Sequence, residues 1–259
     1  MRVWAIANQK GGVGKTTTTL ALGRGLALRG LRVLAIDLDP GASLTHAFGM
    51  PAEPAPQGVI DLFETPPRPL SALANGSDIE NLGYVAAQSA LATLERRSAT
   101  QPGLGMALSQ ALSRSNAYDY VLLDCPPTLG LLMVNALAAA DHVIIPTQTE
   151  PLALHGLDGM RRTTAMIERS RRRALQVSIL PTLHDRRTRT DAEALAQMRQ
   201  RHGDCVWEEA IPCDTLISNA AMLTRPAASA RQPGRALSAY ARALDWILHN
   251  DHAIAEQAA

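Results

Sequence analysis

The chain has 259 residues, 46% of them hydrophobic and 3% aromatic, and a formal net charge of +1 at pH 7. This size suits one large α/β domain as well as two small ones. The near-neutral charge indicates no nucleic-acid partner by itself, and the few aromatic side chains argue against a base-stacking surface. The scattered cysteines and the lack of a long apolar run or a signal-peptide pattern indicate neither a zinc site nor a membrane span, and we expect a cytoplasmic protein.

The predicted elements begin with a strand, a glycine-rich loop, a helix and a second strand. Val3–Ala7 is a short apolar run that is typical of a buried strand. Thr16–Leu28 has a helical pattern that Gly30 closes, and Leu31–Asp39 predicts the second strand. A strand–loop–helix–strand unit implies parallel pairing of the strands through a right-handed crossover.

The rest of the chain continues the alternation of strands and helices. Residues 51–80 are rich in proline, and we expect surface loops there. Further strands are predicted at Tyr118–Asp124, His142–Pro146 and Val177–Thr182. Further helices are predicted at Gly103–Ser113, Leu131–Ala140, Leu157–Arg173, Asp191–His202 and Ala236–His249. This pattern predicts an α/β fold with a doubly wound, mostly parallel sheet flanked by helices, formed by residues 1–259 as a single domain.

The loop after the first strand carries the most specific motif of the sequence, K-G-G-V-G-K-T-T. Its small residues let successive backbone N–H groups turn towards phosphate oxygens, and the following helix directs its positive end at them. Lys15 is expected to reach the β- and γ-phosphates, and the Thr16 hydroxyl is expected to bind Mg²⁺. The alternative is a glycine-rich turn that only caps a helix. The predicted nucleotide-binding residues of the loop are Gly11, Gly12, Val13, Gly14, Lys15, Thr16 and Thr17.

Lysine usage singles out the same loop. Lys10 and Lys15 are the only lysines among the 25 Lys and Arg residues, and Lys10 takes the place of the usual first glycine of the motif. A compact ammonium on a flexible stem has properties that a planar guanidinium lacks. This pattern resembles the deviant Walker A motif of the ParA/MinD superfamily. The resemblance implies that Lys10 reaches across an ATP-bound homodimer to the partner's phosphates, whereas a solvated lysine at the loop edge is the alternative.

Aspartates at two predicted strand ends complete the candidate site. Asp37 and Asp39 share one face of the second strand, at the edge where open α/β sheets bind ligands. Asp124 ends an apolar run before Cys125-Pro126-Pro127, and a carboxylate there can hold Mg²⁺ through water. By the resemblance, Asp39 orients the attacking water and Asp37 supports the magnesium shell; aspartates that merely end strands are the alternative. The candidate catalytic residues are Lys10, Lys15 and Asp39, and the candidate magnesium ligands are Thr16, Asp39 and Asp124.

The resemblance to ParA proteins covers nearly the whole chain. In that family an Ile-Pro segment lies beside the adenine, which makes Pro212 a candidate for base contact. The resemblance implies an ATP- and Mg²⁺-dependent ATPase that dimerises with ATP, hydrolyses it slowly and answers to a stimulating partner. The cargo would be chromosome or plasmid DNA with a ParB-like partner, or polar chemotaxis arrays with an array adaptor. Segments that resemble the array-positioning subgroup are Leu91–Ser98, Met133–Asn135 and Ile167–Arg173.

DNA and membranes are two further candidate partners. The family binds DNA non-specifically through basic residues, and Arg186, Arg187 and Arg189 fit that region, although they also suit a solvated surface. Leu216 stands about where partition ATPases commonly carry a basic residue, so DNA binding stays open. A MinD-like membrane switch would end in a basic amphipathic helix, whereas the tail AIAEQAA has no basic residue, and we expect no stable membrane association. A non-hydrolysing scaffold is a further alternative.

Overall fold

The computed structural model describes residues 1–51, 54–97, 104–171, 173–215, 217, 220–225 and 234–257. The segments discussed above include residues 52, 53, 98, 103, 172, 216, 258 and 259, which lie outside these ranges. The strands are β1 (Arg2–Ile6), β2 (Val33–Asp37), β3 (Ala74–Gly76), β4 (Leu82–Val85), β5 (Tyr120–Asp124), β6 (His142–Gln148) and β7 (Gln176–Thr182). The helices are α1 (Lys15–Ala27), α2 (Ser43–Ala47), α3 (Leu70–Leu73), α4 (Leu91–Arg97), α5 (Ala107–Ser113), α6 (Leu131–Ala139), α7 (Pro151–Arg171), α8 (Arg189–His202) and α9 (Arg235–Gln257).

These strands form one sheet in the order β3-β4-β2-β5-β1-β6-β7. Every neighbouring pair is parallel except β3 and β4, which are antiparallel. The prediction of a doubly wound, mostly parallel sheet is therefore confirmed. In this register Asp124 of β5 lies opposite both Ile6 of β1 and Asp37 of β2, so the carboxyl ends of three adjacent strands meet at one edge.

Helices cover both faces of the sheet and create two hydrophobic clusters. Successive side chains of a strand point to opposite faces, so Val3 and Ala5 of β1 pack in the cluster that includes α5, α6 and α7, whereas Trp4 and Ile6 pack in the cluster that includes α1 and α9. Helices α1 and α9 approach closely, since a Cβ added to Gly25 would lie 2.7 Å from Leu244 Cδ2. No helix in the ranges given above is both long and apolar enough to cross a bilayer.

The structure corrects several predicted bounds. Strand β2 is shorter than predicted at both ends, since it runs from Val33 to Asp37. Just beyond it, Asp39 donates its N–H to the Asp37 carboxylate at 3.1 Å, which begins the turn. Helix α7 begins at Pro151 rather than at Leu157, since proline is well suited to the first turn of a helix.

The proline-rich stretch from residue 51 to 80 was expected to form loops only, and this was wrong. It also contains a 3₁₀ turn at Val59–Phe63, helix α3 and strand β3. The short elements α2, α4 and β4 were missed as well. Elements this short depend on contacts that are distant in sequence: β4 is held between β2 and β3.

Candidate functional site

The loop between β1 and α1 has the backbone geometry of a phosphate cradle. Gly12 and Gly14 have φ angles of 74° and 90°, in the left-handed region that favours glycine. A Cβ added to Gly11, Gly12 or Gly14 would meet no atom within 4 Å, so the space in front of the loop is open. Gly14 caps α1 without any side-chain hydrogen bond. The first N–H groups and the positive end of α1 can therefore bind an anion.

Lys15 and Lys10 point their ammonium groups in different directions. The Nζ atom of Lys15 donates to the carbonyl of Lys10 at 3.1 Å, so it stays within the loop. The Nζ atom of Lys10 donates to Gln148 Oε1 at 2.6 Å and forms an ion pair with Glu150. Burial lowers the pKa of Lys15, although the charges of nearby acidic groups such as Asp124 oppose this shift. A bound phosphate would favour the charged ammonium further.

Asp124 lies at the centre of the candidate magnesium site. Its Oδ2 accepts a hydrogen bond from the Thr16 hydroxyl at 2.7 Å, and its Oδ1 lies 3.3 Å from the Thr19 hydroxyl. Burial raises the pKa of Asp124 to about 8, and the charge of Asp37 adds to this shift. A bound cation would favour the ionised carboxylate.

Asp37 has a structural task in this arrangement. Its Oδ2 accepts from the backbone N–H and the hydroxyl of Thr45, at 2.8 and 2.7 Å, and its Oδ1 accepts from the N–H of Asp39. Burial raises its pKa to about 6. These bonds hold the turn that presents Asp39, whose own Oδ1 accepts from the Gly41 N–H at 2.9 Å.

The residues present fit a magnesium ion bound together with a nucleotide. In the described part of the chain there is no cluster of three or more His, Cys, Asp or Glu side chains that could hold a metal alone. Mg²⁺ in nucleotide sites usually takes only one or two protein ligands and completes its shell with phosphates and water. The pairing of Thr16 with Asp124 beside an open cradle matches that donor set.

Next to the cradle is a hollow of about 150 Å³ that can take part of a nucleotide base or sugar. It is lined by loop residues and by Thr182, Ile211 and Tyr240. The Thr182 hydroxyl donates to the Val13 carbonyl at 2.9 Å and ties the loop to β7. Pro212 lines a different hollow, of about 570 Å³, so its contact with a base stays a prediction.

The three arginines considered for DNA binding lie on the surface beyond β7. Arg187 pairs with Asp185 at 2.7 Å and Arg189 with Glu193 at 2.6 Å, with 89% and 92% of their side chains exposed. Arg186 lines the hollow that also contains Pro212. Residue 216, where the sequence has leucine and partition ATPases commonly have a basic residue, is outside the described ranges.

Sequence reasoning missed Thr19, Thr45 and Tyr240 as site residues. Thr19 lies on a buried face of α1, and its polarity in the run of four threonines was the available signal. Thr45 gave no such signal, since its role depends on the turn between Asp37 and α2.

Comparisons with known proteins agree with this geometry. The sequence profile of a family described as an AAA domain matches residues 1–177. The sporulation initiation inhibitor protein Soj of Bacillus subtilis is 34% identical over 227 residues, which are 87% of this chain and 89% of Soj. This chain belongs to the ParA/Soj family of P-loop ATPases. The chromosome partitioning protein ParA of Caulobacter vibrioides is 36% identical over 230 residues, with 87% of this chain and 86% of the relative covered.

A solved structure extends the family assignment to the cofactors. It is that of cobyrinic acid a,c-diamide synthase from Mycobacterium smegmatis with a bound ATP analog and magnesium. This structure is 33% identical, with a TM-score of 0.82, and the match covers 96% of this chain and 94% of that one. The ParA-type chain is an ATPase that uses ATP and Mg²⁺, as predicted.

Proposed function

We propose that this ParA-type ATPase is an ATP-dependent dimerisation switch that positions or segregates intracellular cargo in the cytoplasm. In this proposal residues 1–259 act as one P-loop ATPase domain, ATP joins two copies, and slow hydrolysis separates them. The strands of the described ranges all belong to one sheet, which supports a single domain.

The position of Lys10 is the observation that carries the proposal. Its ammonium lies against Gln148, the last residue of β6 next to β1, and against Glu150 just after that strand, and it points away from its own loop. Lys15 alone occupies the loop from within. In a dimer whose nucleotide edges face each other, Lys10 can exchange the Glu150 carboxylate for the partner's phosphates and stay paired with negative charge throughout.

Hydrolysis of ATP requires mainly positioning and neutralisation of charge. The amides of residues 11–14 and the ammonium of Lys15 bind the phosphates, and Thr16 and Asp124 hold Mg²⁺, which neutralises phosphate charge when bound. Asp39 orients the attacking water. The water oxygen bonds to the γ-phosphorus while the bond from phosphorus to the β–γ bridging oxygen breaks. The electron pair of the broken bond leaves with ADP, and the two water protons end on oxygens of the product phosphate.

A variant of Lys10 tests the switch. We expect Lys10→Ala to lose ATP-dependent dimerisation, measured by analytical ultracentrifugation, and to hydrolyse ATP at least about 100-fold more slowly, because a cation supplied in trans strongly stabilises the phosphoryl charge. Binding of a fluorescent ATP analogue should persist, since Lys15 remains. Arg114→Ala, an exposed change elsewhere, is the control. A Lys10→Ala protein that dimerises and hydrolyses like the wild type would show that Lys10 does not act across the dimer.

The cargo is proposed from the relatives and from segment resemblance. Soj and ParA relatives named for chromosome partitioning support DNA segregation with a ParB-like stimulating partner. Polar chemotaxis arrays with an adaptor protein are the second candidate, supported by the resemblance of segments such as Met133–Asn135. Measurement of phosphate release distinguishes the two cargoes. Stimulation by DNA plus a ParB-like protein would support DNA segregation, and stimulation by an array adaptor would support array positioning.

The MinD-like alternative is tested by flotation with vesicles that contain anionic lipids. We expect the ATP-bound protein to stay at the bottom of the gradient, because residues 253–259 offer no basic side chain to an anionic surface. Flotation that requires ATP would support the membrane-associated alternative instead.

A further inference from the structure

A third hollow lies beside Asp39, among the segments that follow β5, β2 and β4. It measures about 380 Å³ and is lined by Asp39, Pro40, Ala92, Arg96 and the segment 126–128. The sheet order β4-β2-β5-β1 places the segments that follow these strands side by side at the carboxyl edge. Along this edge, the phosphate loop after β1 is followed by the segment from Asp124 to Thr128 after β5. Next come Asp39, after β2, and helix α4 with Arg96, after β4. None of the loop residues 10–17 lines this hollow.

Helix α4 turns one short face towards the hollow. Leu91 and Leu94 are buried and pack in the core, while Ala92 and Arg96, four residues apart, share the exposed side that lines the hollow. The small side chain of Ala92 leaves room beside the guanidinium. The Arg96 guanidinium donates to the Thr93 hydroxyl at 3.3 Å, and within the described side chains it forms no ion pair with a carboxylate. A guanidinium in that state is available to an oxyanion.

The direction of the reaction brings an oxyanion to this place. In phosphoryl transfer the attacking and leaving oxygens are roughly in line. The transferred group therefore moves away from ADP and towards the side from which the water came. With Asp39 orienting that water, the product phosphate is delivered to the Asp39 side of the cradle, where the hollow begins. This step rests on the role proposed above for Asp39.

We propose that this hollow is a binding site for inorganic phosphate, the product of hydrolysis, and that Arg96 is the side chain that holds it. The guanidinium offers paired N–H donors to phosphate oxygens, and the Thr128 side chain is a further polar group of the lining. A protonated phosphate oxygen can donate to the Asp39 carboxylate. The site retains the product beside the cradle after the β–γ bond is broken, so phosphate loss becomes a step that Arg96 controls.

Phosphate binding to the ADP-bound protein tests the site directly. With saturating Mg·ADP the loop is filled, and equilibrium dialysis with radiolabelled inorganic phosphate measures the neighbouring site. We expect Arg96→Ala to bind phosphate about tenfold more weakly or worse, because a charge-assisted hydrogen bond is lost. Arg96→Lys keeps the charge without the paired donors and should lie between the two. Arg114→Ala removes one exposed arginine outside the hollow and should match the wild type.

Product inhibition gives a second readout. The phosphate concentration that halves each protein's own steady-state rate should rise about tenfold in Arg96→Ala. Equal phosphate affinity in wild type and Arg96→Ala, or equal weakening by Arg114→Ala, would overturn the proposal. An Asp39→Ala protein that hydrolyses ATP normally would contradict the water-orienting role instead, and the phosphate titration does not depend on that result. Circular dichroism confirms that each variant is folded.

Discussion

Two buried carboxylates on adjacent strands make this protein sensitive to pH. Asp124 and Asp37 are register partners at the carboxyl ends of β5 and β2. Burial raises the pKa of Asp124 from 3.8 to about 8 and that of Asp37 to about 6. Between pH 3.8 and about 8, the folded chain therefore binds more protons than the unfolded chain. Because the unfolded state binds fewer protons there, the free energy of unfolding falls as pH rises.

We predict that the nucleotide-free, magnesium-free protein loses thermal stability as pH rises from about 6 to about 8. Each such group contributes at most about 1.4 kcal/mol per pH unit. Asp124→Asn should flatten this dependence, because a neutral side chain replaces the titrating one, whereas Asp78→Asn, a change on the surface, should keep it. Melting temperatures across this range for the three proteins decide the matter. Parallel curves for wild type and Asp124→Asn would disprove it.

At the scale of elements, α9 is attached to the sheet by an anchor near its carboxyl end. Asp251 pairs with Arg2 of β1 at 3.2 Å and with His142 of β6 at 3.4 Å, and His142 and Asp251 are both buried. Burial lowers the pKa of His142, while the negative charge of Asp251 beside it opposes this shift. The Ser178 hydroxyl lies 2.8 Å from the other ring nitrogen of His142, so the anchor joins α9 to three strands.

Substitution of Asp251 is therefore predicted to cost much more than substitution of an exposed aspartate on the same helix. Asp251→Ala should lower the free energy of unfolding by about 1–3 kcal/mol, because it removes the carboxylate beside Arg2 and leaves the buried Nδ1 of His142 with no acidic group next to it. Asp245 pairs with Arg29 at 2.7 Å on the surface, and Asp245→Ala should cost less than about 1 kcal/mol. Urea denaturation of both variants measures the difference. Similar losses in the two proteins would mean that the contacts of Asp251 stabilise the fold no more than the surface ion pair of Asp245 does.

For the whole molecule, the net charge of +1 means that any DNA binding depends on a local surface. Arg186 and Arg187 lie beside a hollow of about 570 Å³ that Arg235 and Arg242 also line. Arg187 and Arg242 are paired with Asp185 and Glu209, which reduces the charge available to phosphates. Binding through such a surface is independent of DNA sequence and weakens steeply with salt.

We expect ATP-dependent retention of non-specific DNA at low salt and its loss at physiological salt. The double variant Arg186→Ala, Arg187→Ala should weaken retention and reduce its salt dependence, because fewer counterions are released on binding. Arg68→Ala, Arg114→Ala removes the same number of charges near another hollow and is the matched control. Absence of ATP-dependent retention in the wild type at low salt rejects DNA binding.

The sequence alone was sufficient for the features that depend on adjacent residues. The loop of Lys10 to Thr17, the aspartate that ends β5 and the alternation of strands and helices are all contiguous patterns, so the fold class, the family and the use of ATP and Mg²⁺ could be predicted. Hydrophobic periodicity reports which segments are buried, but it does not report where they pair.

Only the tertiary structure decided what depends on residues far apart in the chain. It placed Lys10 against Glu150, joined Asp37 to Thr45, paired β4 with both of its neighbours and brought Arg96 to the hollow beside Asp39. The physical reason is that these contacts arise where separate strands end at one edge of the sheet. The order of the strands in space, which differs from their order in the chain, determines which side chains meet there.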